Sequence, residues 1–506
     1  MLLTCTVIGA MQSCTKFDDP AYSIFTEENF PKTPQQYVAL TGPVYTAAQS
    51  FFNNNYYDMQ ETCTDEVIVP TRGGDWYDGG KWNEMHFHTW NPSSELMNNS
   101  WNWGFNAIGS ANLILKMYED LPESELKTQT LAEVKTMRAW YYYCMMDAFG
   151  NIPIVTTFDQ NAAAPEQKTR AEVFQFIASE LEENAPLLSP DVNALTYGRP
   201  TRWMAYTLLA KLYLNAVVYT GTPQWDKVVE NCNKVIQSGK YDLEPAASYF
   251  AMFGPTNGPG SKEAIFSVPF DAQKAKGNLL FNKVLHYGHR DTYKLTTNPW
   301  NGWTTTPAFF DKFDDADIRK AQWLRGQQKN ANGENLVYAG VNVVLDPYYF
   351  PAFDLGGEDD KGRLAGARNV KYGPDPNAFE NNANNDIIIY RYSDVLLMKA
   401  EAILRGSTLA STSEALDIVN SIRDRAFNND PTKRYSTLTL QNIYDERGRE
   451  LVMEMTRRTD MIRFGTFDDP NLFKGQTDLN KVKLFPIPTA AISSNPKLKQ
   501  NFGYGG

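Results

Sequence analysis

Polar and apolar positions fall into helical periods at several places along the chain. Thr169-Arg170-Ala171-Glu172 has the S/T-x-x-E form of a capping box, in which hydroxyl and carboxylate each satisfy a backbone N–H that an opening helix leaves unpaired. Behind it Val173, Ile177, Leu181 and Ala185 recur every four residues, so one stripe faces a core. Residues 201–217 predict a second helix with Leu208, Leu209, Leu212 and Tyr213 on its apolar face. The linker Tyr219-Thr220-Gly221-Thr222-Pro223 breaks it. Residues 225–238 predict a third helix, with Val228, Val229, Cys232, Val235 and Ile236 on one side and Gly239 as its C-terminal stop. The last two form an antiparallel pair of about 34 residues, a tetratricopeptide-like length. Further helices are expected at 101–118, 131–148, 391–404, 413–426 and 440–457, with the 413–426 helix closing a second hairpin against the one before it. The class is mainly α: a scaffold of helical pairs.

Two long stretches break this period. Residues 65–99 are rich in Gly, Trp, Asn and His, and residues 254–385 in Gly, Pro, Asn, Asp and aromatics. Loops of this length in a compact protein carry function or fold as irregular lids. Ala264-Ile265-Phe266-Ser267-Val268 and Leu336-Val337-Tyr338 read as brief strands, His86 and His88 as alternating along another. No low-complexity linker divides the chain. It therefore reads as a leader over 1–13, a helical region over 14–250 and a loop-rich then helical region over 251–506, the last two forming one compact unit.

Length alone, 506 residues, would suggest about three domains, a prior that one elaborated helical scaffold also meets. The aromatic share, 13%, exceeds what a core requires, so some rings are available for stacking on ligand. Net charge is −11 with no Lys/Arg run, which excludes the basic face of a nucleic-acid binder and argues against adhesion to anionic lipid. Five cysteines, Cys5, Cys14, Cys63, Cys144 and Cys232, form no CxxC pair and no disulfide framework. Leu2 to Ala10 is apolar but far too short to span a bilayer, and Ser13-Cys14 follows it. This is the form of a lipoprotein signal peptide that leaves Cys14 as the lipidated N-terminus. Met11 and Gln12 make the cleavage motif imperfect, and no basic segment precedes Leu2.

Motifs of chemistry are lacking. There is no GxSxG elbow and no HExxH, and Gly80-Lys81 is followed by Trp82 rather than Ser or Thr. The four histidines, His86, His88, His286 and His289, have no clustered carboxylate or thiolate to complete a metal site. Asp354, Glu358, Asp359 and Asp360 form an acidic loop without EF-hand spacing, so structural calcium has no support beyond charge, and no cofactor is expected. Two aromatic clusters stand out in the loops. The first runs from Arg72 through Asp75, Trp76 and Tyr77 to Trp82, with Trp90 shortly after; the second joins His286-Tyr287 to Asn298-Pro299-Trp300-Asn301-Gly302-Trp303. Sugar rings offer apolar C–H faces to Trp and Tyr, while their hydroxyls need Asp, Asn and Arg. The candidate ligand-binding residues are Arg72, Asp75, Trp76, Trp82, Tyr287, Asn298, Trp300 and Trp303. The competing reading is that these tryptophans pin the loops onto the scaffold.

From Arg138-Ala139-Trp140-Tyr141-Tyr142-Tyr143 to Phe149-Gly150-Asn151-Ile152-Pro153 the sequence resembles the SusD/RagB family. Gly198-Arg199-Pro200-Thr201, Arg391-Tyr392-Ser393-Asp394 to Ala402, Asn420 to Ala426, Glu446-Arg447-Gly448-Arg449-Glu450-Leu451 and Phe485-Pro486-Ile487-Pro488 continue it in order, so it covers the chain after Cys14. Glu454, Arg457 and Asp460 keep a further family motif, but Met455 stands where it has glycine and Arg458 where it has a large aromatic; a locally altered helix end is expected there. The resemblance implies four tetratricopeptide-like helix pairs carrying an irregular, loop-rich half. It implies a lipid-anchored protein on the outer face of the outer membrane that captures oligo- or polysaccharide and passes it to a SusC-type TonB-dependent transporter, without chemistry. A peptide-capturing RagB-like protein, a glycan hydrolase and a structural scaffold are the alternatives. The signature residues Arg138, Arg391, Glu401, Glu446 and Glu450 read as buried Arg–carboxylate pairs rather than ligand contacts.

Overall fold

The capping boxes and apolar stripes do set the helices. The computed structural model describes residues 34–51, 56–159, 163–356 and 360–505. Cys14, the leader before it, and Glu358 and Asp359 of the acidic loop lie outside the described residues. The N-terminal half holds α1 (Pro34–Leu40), α2 (Gly42–Ser50), α3 (Tyr56–Glu61), α4 (Lys81–Phe87), α5 (Glu95–Glu119), α6 (Glu125–Phe149), α7 (Arg170–Asn184), α8 (Arg202–Leu214), α9 (Ala216–Thr220) and α10 (Trp225–Ile236). Thr169 and Glu172 form the capping box of α7, Thr201 caps α8 by accepting the N–H of Met204, and Gly239 takes the left-handed conformation (φ 63°) expected of a stop.

Short helices α11 (Leu280–Val284), α12 (His289–Tyr293), α13 (Pro307–Phe310) and α14 (Asp360–Leu364) punctuate the irregular region. Then follow α15 (Tyr392–Leu404), α16 (Thr412–Ala426), α17 (Leu440–Glu450) and α18 (Arg457–Phe464). Helix packs on helix in chain order: α5 on α6, α6 on α7, α7 on α8, α8 on α10, α15 on α16. Contact between α10 and α15 carries the stack across the loop region, so the two predicted hairpins sit side by side. Short antiparallel pairs are the only sheets among the described residues, the longest joining Ala264–Val268 to Ile387–Arg391. One hydrophobic cluster extends from Leu40 to Leu498.

Two expectations are corrected. His86 lies in α4 and His88 is its left-handed cap (φ 54°), so the pair does not alternate along a strand. The helix expected over 440–457 stops at Glu450 and resumes at Arg457. Between them Met453 (φ 61°) and Met455 (φ 54°) hold the left-handed conformation that glycine occupies without strain. Met455 meets that requirement at the position where the family has glycine: its N–H donates to Glu61 Oε1 at 2.6 Å, and the N–H of Met453 donates to Glu66 Oε1 at 2.9 Å. Arg458 fills the place of the aromatic by stacking over Phe485 at 4.5 Å and donating to Asp147 at 2.8 Å.

The signature residues are buried ion clusters. Arg391 reaches Glu263 at 2.9 Å, Glu450 at 2.6 Å and Glu454 at 2.7 Å, and Arg319 reaches Asp317, Glu446 and Glu450 at 2.7–2.8 Å. Arg463 bridges Glu401 and Asp460 at 2.6 Å each, and Arg138 pairs with Glu180. These clusters tie α15, α17 and α18 to one another and to the segments around Glu263 and Asp317, and α6 to α7. Carboxylates converging on a guanidinium offset the cost of burying its charge.

Candidate functional site

The first loop cluster is held by a two-residue hairpin turn. Arg72 N–H donates to Asp75 O at 2.9 Å and Asp75 N–H to Arg72 O at 3.3 Å, with Gly73 (φ 67°) and Gly74 (φ 95°) at the centre. Both central positions need positive φ in such a turn, which is why two glycines stand there. The second cluster is laid over the C-terminal end of α11. The N–H groups of Gly302 and Trp303 donate to Lys283 O at 2.9 and 2.8 Å, Trp300 N–H to Asn282 O at 2.7 Å, and Asn301 N–H to Leu285 O at 2.8 Å. A helix end leaves carbonyls without partners, and this loop supplies them. Reciprocal backbone bonds between Ile68 and Thr304, 2.8 and 2.9 Å, stitch the two clusters together.

Between them opens a cleft of about 630 Å³, lined by Gly74, Asp75, Trp76, Trp82, Trp300 and neighbouring residues. Trp76 (φ 64°) and Trp300 are half-buried; their ring centroids lie 6.5 Å apart at 46°. Trp76 Nε1 donates to Trp300 O at 2.7 Å, which fixes one indole against the other loop. Behind Trp76 stand Trp82 (5.7 Å) and then Trp303 (6.4 Å), which stacks on Tyr57 at 6.1 Å and 7°. The aromatic row therefore runs from the core to the cleft surface. Tyr287 donates its hydroxyl to Asp75 Oδ2 and stacks on Tyr338 at 5.6 Å. Burial, then the Asp75 carboxylate, raises the Tyr287 phenol above its ordinary value, so it stays a donor. Lys283 pairs with buried Asp58 at 2.6 Å and sits 5.1 Å over the Trp303 ring.

Six of the eight sequence-derived residues line this one cleft: Asp75, Trp76, Trp82, Tyr287, Asn298 and Trp300. They differ in access. Asp75 and Asn298 are exposed, Trp76, Tyr287 and Trp300 half-buried, and Trp82 is 2% exposed with its Nε1 held by Asp78 at 2.7 Å. Arg72 and Trp303 stand behind the wall. The Arg72 guanidinium is wholly buried and donates to Gly362 O at 2.7 Å and weakly to Gly302 O at 3.5 Å, joining its own turn to α14 and to the second loop. Trp303 is 1% exposed. For Trp82, Trp303 and Trp90, whose Nε1 donates to the Tyr504 hydroxyl at 2.6 Å, the loop-pinning reading describes what the side chain does.

Asp78, Lys81, Lys283 and Pro299 complete the lining; they are not among the eight candidates, nor is Tyr77, 55% exposed in the same loop. Tyr77, Asp78 and Lys81 belong to the aromatic cluster and could have been read with it; Lys283 carries no local signal. The four histidines are engaged in the interior. His86 and His88 meet the carbonyls of Leu472 and Cys63 at 2.6 and 2.9 Å, and the His289 Nδ1 accepts the His286 N–H at 3.1 Å. Burial lowers His86 and His289 to about 4 and His286 to about 2. Among the described residues no group of three or more His, Cys, Asp or Glu is placed to hold a metal ion.

The class defined by this geometry is a helical-pair scaffold presenting an aromatic cleft on an irregular half. Two family models match it: "SusD family" over residues 262–504 and "Starch-binding associating with outer membrane" over residues 40–214. The chain is 26% identical over 500 residues to the starch-binding protein SusD of Bacteroides thetaiotaomicron, covering 90% of this chain and 86% of the relative. It is 23% identical to a SusD-like protein of Bacteroides ovatus, over 91% and 81% of the two chains. The solved surface glycan-binding protein A of Bacteroides thetaiotaomicron superposes with a TM-score of 0.74 at 21% identity, over 92% of this chain and 98% of that one. A SusD-like protein from Bacteroides fragilis gives 0.75 at 18%, over 95% and 99%. The chain belongs to the SusD/RagB family.

Proposed function

We propose that this protein captures a neutral oligo- or polysaccharide in the Trp76–Trp300 cleft and passes it, unmodified, to a SusC-type TonB-dependent transporter of the outer membrane. The observation that carries the reading is the pair of half-exposed indoles at 46°, bordered by Asp75, Asp78 and Asn298. Two inclined ring faces accept successive sugar rings of a chain that bends, and the carboxylates and carboxamide accept and donate to hydroxyls around them. Tyr287 holds one oxygen of Asp75 and leaves the other to face the cleft. Support from the relatives is of the same kind: one is named for starch binding, and a solved structure of surface glycan-binding protein A is in complex with laminarihexaose.

Capture without catalysis fits the chemistry at the wall. Hydrolysis of a glycosidic bond needs an acid and a base or nucleophile facing each other across the sugar. Asp75 accepts from Tyr287 and Asp78 from the Trp82 indole, so each is held as an acceptor by the wall and keeps one oxygen for a sugar hydroxyl. Cys14 as the lipid-bearing residue, the outer face of the outer membrane as location and the transporter as partner belong to the same proposal.

The test is a glycan array followed by calorimetric titration of the protein beginning after Cys14. Capture predicts binding of at least one neutral glycan that Trp300→Ala weakens by about 30-fold, with no release of reducing ends on prolonged incubation. Binding that survives both Trp76→Ala and Trp300→Ala, or release of shorter sugars, overturns the reading.

A further inference from the structure

A second, larger groove lies on the helical half. It measures about 800 Å³ and is lined along one side by Gly42, Pro43, Thr46 and Ala47 of α2 and along the other by the polar face of α5. That face carries Asn99, Asn102, Asn106 and Ser110, with Trp103 and Ala107 beneath. Spacings of three, four and four residues put the four side chains on one edge of the helix, about 4.5 to 6 Å apart along its axis. No residue lining the groove is ionisable, in a chain where 21% of residues are charged.

The hydrogen-bond ledger of the groove is one-sided. The hydroxyls of Thr46 and Ser110 donate back to the carbonyls of Gly42 and Asn106, four residues earlier in their own helices, and the indole of Trp103 donates to Ala47 O at 2.8 Å. The carboxamides of Asn99, Asn102 and Asn106 make no hydrogen bond among the described residues. Asn102 and Asn106 are exposed and Asn99 is half-buried. Each carboxamide offers two donors and an acceptor, the set that pairs with neighbouring hydroxyls of a sugar. Asparagine is also a poor choice for the middle of an exposed helical face, where Glu, Lys, Gln or Arg would favour the helix. Three there, all facing one groove, cost helix stability without an internal contact to offset it.

We propose that this α2–α5 groove is a second carbohydrate-binding site, for an uncharged glycan running along α5, independent of the tryptophan cleft. Absence of charge favours a neutral polyhydroxylated ligand over a protein surface, which would meet salt-bridge partners at the rim. The row of carboxamides spans about 10 Å from Asn99 to Asn106 along the axis, enough for two linked pyranose rings. The site has no exposed ring to stack on, because the Trp103 indole is 6% exposed and its nitrogen is occupied. It therefore holds sugar weakly and contributes most to long chains, which present many repeats of the same contact.

The experiment uses affinity electrophoresis of the full chain in gels containing soluble starch or laminarin, with calorimetry on maltoheptaose and laminarihexaose. Four proteins are compared: wild type, Trp300→Ala, Asn102→Ala/Asn106→Ala, and the triple variant. Asn102 and Asn106 are exposed, so their replacement leaves the fold intact, checked by an unchanged Tm. The expected result is that Trp300→Ala weakens oligosaccharide binding by about 30-fold but leaves residual retardation in a polysaccharide gel. The triple variant loses that residue, and Asn102→Ala/Asn106→Ala alone weakens polysaccharide retardation by threefold or more while leaving oligosaccharide binding in the cleft unchanged. The proposal is overturned if Asn102→Ala/Asn106→Ala changes nothing in either background, if no variant is retarded by either polysaccharide, or if the groove proves to bind a protein partner and no glycan. Failure of the cleft reading is separable, since it shows as oligosaccharide binding indifferent to Trp300→Ala.

Discussion

The indole nitrogen of Trp76 donates to the backbone carbonyl of Trp300 at 2.7 Å, tying the one ring's position to the other's loop. The two tryptophans are therefore not equivalent under substitution. Trp300 contributes its backbone to this bond and only its ring to the cleft. Trp300→Ala keeps the carbonyl and is expected to weaken glycan binding by about 2 kcal/mol, some 30-fold, as loss of a central aromatic contact does. Tm should stay within about a degree of wild type. Trp76→Ala removes the donor as well and should lower both affinity and Tm. Calorimetry and thermal unfolding on the two variants check this; equal effects on Tm would contradict it.

Arg391 is the hub of the buried ion clusters. It contacts Glu263, Glu450 and Glu454, and it donates to the backbone carbonyl of Glu450 at 2.6 Å. Replacing it by Met leaves three carboxylates in the core with less positive charge, where Arg319, Arg425 and Lys371 compensate only in part. Breaking a buried pair from one side costs about 3–5 kcal/mol. Arg391→Met is therefore expected to lower the denaturant midpoint sharply or to prevent soluble folding. Substitution of the exposed Arg434, paired with Asp424 at the surface, should change stability by well under about 1 kcal/mol.

Stability should depend on pH from both sides, for opposite reasons. Burial disfavours the charged form of Glu446, but Arg319, Arg449 and Arg423 more than offset it and hold the carboxyl at about 2, and neighbouring arginines hold Asp460 and Glu450 low as well. Groups depressed in the folded state contribute stability that is complete above the unfolded carboxylate range of about 4 and is lost as pH falls towards 2. Glu61 and Glu66 are the reverse case. Each uses one oxygen to accept a backbone N–H from the Met453–Met455 bend, and the nearby Glu61 carboxyl adds to the effect of burial on Glu66. Burial raises both, so the folded pair keeps a proton that the unfolded chain releases. Its contribution is complete below about pH 4 and declines as pH rises towards the folded value. Unfolding free energies measured from pH 2 to 9 should therefore fall at the acid end. Glu66→Gln, which keeps a neutral hydrogen-bonding group facing Glu61, should flatten the decline on the alkaline side. A decline of the same slope in that variant would assign it to other groups.

How far the sequence leads depends on the range of the force involved. Capping boxes and four-residue apolar stripes are local, so the helix opening at Arg170 behind Thr169 stands where the pattern puts it. The end of α17 is not local. Periodicity over residues 440–457 does not mark where the helix ends, and only the family motif at Met455 points to a change; in the bend Glu61 and Glu66, almost 400 residues earlier, accept the N–H groups of Met455 and Met453. Aromatic and glycine density marked both loops that form the cleft, and six candidates face it. Which rings reach the surface was not legible, because Trp76 and Trp303 look alike in sequence. Trp82 packs on both rings; Trp303 is covered in addition by Tyr57 stacked on it and by the Lys283 side chain.

Gly302 tests whether the cleft depends on ring placement rather than on ring count. It lies between the two tryptophans of its loop, and its φ is not left-handed, so a side chain there is not excluded by its backbone. What excludes one is Trp76: a Cβ on Gly302 would stand 2.2 Å from Cε2 and 2.4 Å from Cζ2 of that ring, far inside contact distance. The indole is an unyielding neighbour, held at Nε1 by Trp300 O and backed by Trp82 at 5.7 Å. Gly302→Ala must therefore push Trp76 out of its seat, at a cost of about 1–3 kcal/mol for overpacking. Every aromatic side chain and every polar group of the cleft remains in the sequence. The expected outcome is a loss of glycan affinity comparable to that of Trp76→Ala, with intrinsic tryptophan fluorescence shifted to the red as the indole moves into water. The neighbouring change Asn298→Ala removes a cleft-lining group and should leave the fluorescence unmoved. Full affinity in Gly302→Ala would mean that the ligand does not rest on Trp76, and would place capture on Trp300 and Tyr287 instead.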